Sequence, residues 1–171
     1  MLLPAGQYTD VVTLRAFALD GGTPVSLGVD TSFTARLIVP ASVRILMDGA
    51  VTASNERFGL SMIFLGELSD GAEANANLQI RATSGVRLSV ASRNKGVLQH
   101  VAVSGDGGAI PYRLTLDGRA IDLRSGPAAL LRQLPGGAGR ENVRMQINVP
   151  PAGARPAGTY RDVLTVTAEP N

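Results

Sequence analysis

PAGTYRDVLTVTAEPN, residues 156–171, closes the chain, and PAGQYTDVVTLRAFAL, residues 4–19, nearly repeats it. Aligned from Pro4 and Pro156, thirteen positions hold eight identities, among them Pro-Ala-Gly, a tyrosine, an aspartate and a threonine. One strand-like signature therefore stands at both ends of a chain long enough for a single sizeable core.

Between the two copies, short runs alternate apolar and polar residues, and Gly, Asp, Asn and Pro separate them. FTARLIV (33–39) puts Phe33, Ala35, Leu37 and Val39 on one face before Pro40 stops it. SVRIL (42–46) follows with Val43 and Ile45, and ANLQIRA (76–82) sets Leu78 and Ile80 against Gln79 and Arg81. GVRLSVAS (85–92) and NVRMQINVP (142–150) repeat the pattern, with Val86, Leu88 and Val90 in the first and Val143, Met145, Ile147 and Val149 in the second. PYRLTLDGRAIDL (111–123) reads as a hairpin turning on Asp117-Gly118, a favoured two-residue turn. Only GPAALLRQL (126–134) suggests a short helix, ended by PGGAGR. Strands of about five to eight residues with turns about every 8–12 are the mark of an antiparallel β-sandwich or barrel. The turn-rich stretch 20–30 reads as a linker, leaving 1–19 as an appended strand-like segment and 31–171 as the sandwich domain.

The composition narrows the chemistry. With no Cys and His100 as the only histidine, a disulfide framework, a thiolate metal site and a Cys nucleophile are excluded, and a hydrolytic triad would have to use His100. His100 sits at an alternating position among apolar residues in VLQHVAVSG (97–105), which reads as structural. SGDGGA (104–109) and LDGG (19–22) lack the repeated Asp/Asn spacing of a calcium loop, and no Gly-rich stretch ends in Gly-Lys-Ser/Thr. Glu67, Asp70 and Glu73 have no aromatic platform beside them for a sugar ring and read as surface charges. The expectation is a protein that is not an enzyme and uses no cofactor or metal. Net charge is +2, and its arginines are spread without interleaved aromatics, so no nucleic-acid partner is expected. No run approaches the ~20 apolar residues of a membrane span, so no membrane insertion is expected. A mean hydropathy of +0.14 is high for a soluble domain, fitting either an Ala/Val/Leu-rich core or apolar surface meant for a partner.

Three stretches in order resemble the spore coat protein U domain family, which includes subunits of archaic chaperone–usher pili. They are RFGLSMIFLGELSDG (57–71); VRLSVASRNKGVLQH (86–100), with Ser-x-Asn-x-Gly-x-Leu, followed by IPYRLTLDGRAIDL (110–123); and AGTYRDVLTVTA (157–168). The resemblance spans roughly residues 31–171. This chain lacks the Cys pair of many members, and the stretch MLLPAGQYTD has no secretion signal. The resemblance implies an all-β, immunoglobulin-like antiparallel sandwich that lacks one strand unless complemented. It also implies a secreted protein, in the periplasm and then at the cell surface, whose partners are a periplasmic chaperone and neighbouring pilus subunits. The role it implies is a structural subunit of an adhesive, biofilm-forming pilus assembled by donor strand complementation. A fragment of a two-domain tip adhesin, binding a surface or glycan through loops such as LSMIFLG (60–66), is the alternative.

The terminal repeat then has two readings. Residues 1–19 are the final strand of a preceding domain, or they are a donor strand that fills a groove in the same chain or a neighbour's. In the second reading Tyr8, Val11, Val12, Leu14 and Phe17 form the strand-pairing segment and allow self-association. Tyr160, Asp162, Leu164 and Val166 are the corresponding terminal-strand and groove residues. Arg15 and Asp10 each interrupt one face of the N-terminal run.

Overall fold

The computed structural model describes residues 2–47, 51–52, 59–132 and 137–171. It begins with a long antiparallel ribbon. Strand β1 (Gly6–Asp20) pairs with β2 (Thr23–Val39) from Gly6 opposite Val39 to Asp20 opposite Thr23. Gly21 and Gly22 make the two-residue turn with φ of +55° and +86°, a left-handed pair that glycine adopts without a Cβ clash. The register breaks once, between Arg15 and Phe17, in a bulge that leaves Leu27, Gly28 and Val29 opposite Ala16.

This corrects the linker expected at 20–30. The Gly-Gly pair is a hairpin turn, and residues 23–30 are the first half of β2. FTARLIV also lies in β2, so Phe33 and Leu37 are each 52% exposed rather than part of the core. The local alternation was sound, but the partner strand is β1 and not a second sheet.

The sandwich follows. Strand β3 (Val43–Met47) and the two-residue pair β4 (Val51–Thr52) and β5 (Gly59–Leu60) precede β6 (Ala72–Ala82), β7 (Val86–Ser92), β8 (Val97–His100) and β9 (Ala109–Pro111). Next come β10 (Arg113–Leu116), β11 (Arg119–Ile121), β12 (Ala128–Arg132), β13 (Gly139–Val149), β14 (Tyr160–Arg161) and β15 (Leu164–Pro170). One sheet runs β11-β10-β13-β6-β3; facing it are β12-β7-β15 and the small sheet β14-β8-β9. All pairings are antiparallel, and this is an all-β, immunoglobulin-like sandwich.

The core is built from the alternation read in the sequence. Leu78 and Ile80 on β6, Val86, Leu88 and Val90 on β7, Leu114 and Leu116 on β10, and Val143 and Met145 on β13 are all at most 1% exposed. Asp117 and Gly118 turn the β10–β11 hairpin as expected, both at positive φ. The short helix expected in 126–134 is replaced by β12, in which Ala128–Arg132 pairs with Val90–Val86. So short an isolated helix gains little in water, whereas a ladder on the buried strand β7 pairs its backbone at once. Residues 133–136 of that expectation lie outside the described residues, as do Arg57 and Phe58 of the first family-like stretch.

Candidate functional site

The two sheets end in unlike neighbours along one side. Strand β3 is the last strand of the five-stranded sheet and β15 the last of the β12-β7-β15 sheet. Their Cα atoms come within 8 Å of each other, yet no ladder joins them. The parity of the hydrogen bonds that each strand makes to its one neighbour shows where its outward backbone groups point. Arg93 N–H donates to the Val163 carbonyl and Asn171 N–H to the Gly85 carbonyl, so odd-numbered residues of β15 face β7. In an antiparallel strand the neighbouring residues face the other way. The N–H and C=O groups of Leu164, Val166 and Ala168 therefore point into the seam. On β3, Thr83 N–H donates to the Ser42 carbonyl, so the backbone groups of Val43, Ile45 and Met47 point into it from the other side.

The side chains of these six residues turn inward and pack against the core cluster, yet every one is only half-buried. One strand further in, the β7 row Val86, Leu88 and Val90 is fully buried. Among the described residues, then, a strip of apolar side chains is flanked on both edges by backbone groups that no strand pairs. That is a template for one more strand.

Below the seam, β15 is fastened by Asp162. Its Oδ2 accepts from the Ser92 hydroxyl at 2.5 Å and the Tyr112 hydroxyl at 2.6 Å, and its Oδ1 from Asn94 N–H at 3.0 Å and Val163 N–H at 2.7 Å. Gly96 N–H donates to Ser92 Oγ at 2.7 Å, and Tyr112 N–H to the Gly96 carbonyl at 3.0 Å. Burial, reinforced by the Asp162 carboxylate, pushes the Tyr112 phenol far above its ordinary value, so it stays a neutral donor. Tyr160 donates to the Pro156 carbonyl at 2.6 Å and meets the edge of His100 with ring centroids 4.9 Å apart. His100 itself is 9% exposed; its Nδ1 accepts from Ala102 and Val103 N–H, both at 3.0 Å. These two bonds leave Nδ1 no proton to give, and Nε2 is directed at the Ala157 carbonyl at 3.2 Å. The ring holds a turn together.

The sequence-predicted residues divide accordingly. Leu164 and Val166 line the seam, Asp162 and Tyr160 anchor the strand that forms it, and Tyr8, Val11, Val12, Leu14 and Phe17 lie on the ribbon, away from the seam. Sequence reasoning did not assign Val43, Ile45 and Met47 to the site, nor Ser92, Asn94 and Tyr112 to the Asp162 fastening. The signal for the latter was available. The Ser-x-Asn-x-Gly, Ile-Pro-Tyr and Gly-Thr-Tyr-x-Asp motifs are the parts that this network joins.

In LSMIFLG, Ile63 and Leu65 pack on the core, whereas Leu60, Met62 and Phe64 are 75%, 71% and 83% exposed. Among the described residues no group of three or more His, Cys, Asp or Glu could hold a metal, and no helix is long and apolar enough to cross a membrane.

No protein-family model matches this chain, nor does any curated protein. Among solved structures it is similar to a chain of the CsuC–CsuE chaperone–tip adhesion subunit pre-assembly complex from archaic chaperone–usher Csu pili of Acinetobacter baumannii. The TM-score is 0.51 at 15% identity, over 98% of this chain and 60% of that one. A second similar structure is a chaperone–tip adhesin complex described as vital for activation of CFA/I fimbriae biogenesis, with a TM-score of 0.48, 17% identity, and coverage of 99% of this chain and 54% of that one. This chain thus spans about 60% of the first and about half of the second. The first likeness is one of fold.

Proposed function

We propose that this chain is a non-enzymatic structural subunit of the spore coat protein U type, exported through the periplasm to the cell surface and assembled into a chaperone–usher pilus by strand complementation. The observation that carries this reading is the seam. Two facing rows of half-buried apolar residues, Val43, Ile45 and Met47 against Leu164, Val166 and Ala168, each carry backbone groups aimed at the space between them. A strand laid there buries its own alternate side chains. At about 1.5–3 kcal/mol for each fully buried aliphatic residue, four or five such residues outweigh the cost of ordering the segment. A periplasmic chaperone would supply that strand first, and a neighbouring subunit would then replace it.

The ribbon bears on the terminal repeat. A dedicated donor would be a single free strand, whereas residues 6–20 are already paired along their length with β2. That supports reading β1 as the last strand of another sandwich, with β2 its neighbour. The pairing also identifies a probe. Because β1 repeats β15, the segment TSFTARLIV (31–39) that pairs with β1 is a candidate for the free edge of β15. A fluorescently labelled peptide of residues 31–39 added to the full chain is expected to bind saturably. Val166→Asp and Ile45→Asp are each expected to abolish binding. Binding that survives both substitutions would place it elsewhere and remove the seam as the assembly site.

A second reading, a tip-adhesin fragment contacting a surface, is favoured by the row Leu60, Met62 and Phe64, three large apolar side chains in open solvent. Retention on hydrophobic beads that falls with Phe64→Ser, but not with Val166→Asp, would select it.

A further inference from the structure

The sheet β11-β10-β13-β6-β3 keeps one face on the core, and its other face carries charge of mostly one sign. Alternation turns Gln79 and Arg81 of β6 outward from the buried Leu78 and Ile80, and Arg140 and Arg144 of β13 outward from the buried Val143 and Met145. Cross-strand partners share a face, so the register sets three arginines in a row. Arg44 on β3 and Arg140 on β13 each stand directly opposite Arg81 on β6. Arg144 lies further along β13, and Arg113 on β10 stands opposite Asn148 of β13.

Like charges placed directly opposite each other weaken a sheet, and the face does little to neutralise these. Arg81 Nε and Nη2 donate to Gln79 Oε1 at 3.2 and 2.9 Å, which orients the guanidinium but brings no charge. Glu73 is the outward carboxylate of β6 and accepts from Gln146 at 3.4 Å. Asp117, at the β10–β11 turn, accepts from the Arg144 backbone N–H at 2.8 Å. Among the described residues no carboxylate pairs with the guanidinium of Arg81, Arg113, Arg140 or Arg144.

The positions between the arginines are amides: Asn75 opposite Gln146, and Gln79 opposite Asn142. They offer both donors and acceptors, the complement of a partner rich in hydroxyl groups. None of the outward positions on β3, β6, β10 and β13 is aromatic, so nucleic-acid bases have no ring to stack on. Leu46 is the one large apolar side chain among them, too little to enter a lipid surface.

We propose that this face binds an acidic polysaccharide. Its carboxylates would pair with the arginine row and with Arg144, where a planar guanidinium takes a carboxylate through two parallel hydrogen bonds. Its hydroxyl groups would exchange hydrogen bonds with the amides between them. The row spans two strand spacings, about 10 Å, and Arg140 and Arg144 stand about 14 Å apart, which suits a polymer rather than one small anion. Val43, Ile45 and Met47 turn to the opposite side of β3 from Arg44, so the face is open whether or not a strand fills the seam.

The test is titration of the full chain with a fluorescently labelled oligogalacturonate long enough to span the face. Saturable binding is expected at about 20 mM salt, weakening about tenfold or more at about 300 mM as screening shortens the reach of each charge. Arg140→Gln and Arg144→Gln should each weaken it about fivefold, and together about 25-fold, because contacts this far apart act additively. Neither should lower the urea midpoint, since each removes an exposed charge that no carboxylate balances. Arg87→Gln, on the outer face of the other sheet and opposite Glu169, should leave binding unchanged. The proposal is overturned by no binding at low salt, by binding that the double variant keeps, or by equal loss with Arg87→Gln, which would make net charge the cause. It is also overturned if a single-stranded DNA of equal charge binds more tightly than the uronate and is lost in the same variants. Peptide uptake at the seam is read separately, so either claim can fail alone.

Discussion

Asp162 and Asp10 occupy the same place in the repeated motif, one seated in a sandwich and the other bare, and replacing each with alanine compares the two settings directly. The Asp162 carboxylate accepts four hydrogen bonds, from Ser92, Tyr112, Asn94 and Val163. Bonds to a charged acceptor contribute about 1.5–3 kcal/mol each when measured singly, but they share two oxygens and do not add. The site is also half-buried, so water re-satisfies part of what is lost. Asp162→Ala leaves the buried Tyr112 hydroxyl and the Asn94 amide without their acceptor, and about 3 kcal/mol is the expected cost. In a chain of this size that lowers Tm by about 6–12 °C. Asp10 accepts a hydrogen bond from the adjacent Val11 amide and is exposed; Asp10→Ala is expected to stay within about 0.5 kcal/mol. Urea unfolding with a common slope reads both. Equal losses in the two variants, or a loss below about 1 kcal/mol for Asp162→Ala, would refute the fastening assigned to Asp162.

Other outcomes follow from the same geometry. Tyr112 has its folded pKa raised above the ordinary 10.0, so it stabilises the fold fully below pH about 10 and loses that contribution as pH rises further. Urea midpoints between pH 8 and 11 should therefore fall more steeply for the native chain than for Tyr112→Phe, which itself costs about 1–2 kcal/mol at neutral pH. Gly158 sits at φ +149° with no room for a Cβ against the His100 ring. Gly158→Ala is expected to cost about 2–4 kcal/mol in urea unfolding, whereas Gly107→Ala, with open space around it, should cost less than about 0.5 kcal/mol. Val166→Asp puts a charge at a half-buried position and should destabilise the free chain by about 1–2 kcal/mol in urea while abolishing uptake of the 31–39 peptide.

Most of the sandwich was legible because its buried strands alternate strictly. Leu78 and Ile80, Val86 to Val90, and Val143 to Val149 each reveal a face within their own run. What was not legible depends on which strand lies beside which. Alternation puts Phe33, Ala35 and Leu37 on one face but carries no sign of whether a core covers it, so β2 was placed in the sandwich. Gly21-Gly22 serves equally well as a linker or as a hairpin turn until the partner strand is seen. Ala128–Arg132 is too short for its period to separate helix from strand, and its pairing with β7 decides. The seam could not be read from any local pattern, because β3 and β15 lie far apart in sequence and come together only through tertiary packing.

Residue-resolved amide hydrogen exchange along β15 tests the central claim most directly, with the full chain alone and with saturating 31–39 peptide. The account predicts that the amides of Thr165, Thr167 and Glu169, turned toward β7, are protected throughout. Those of Leu164, Val166 and Ala168 should exchange fast in the free chain and become protected when the peptide is bound. Equal protection of both sets in the free chain, or no change on peptide binding, would contradict an open seam that accepts a strand.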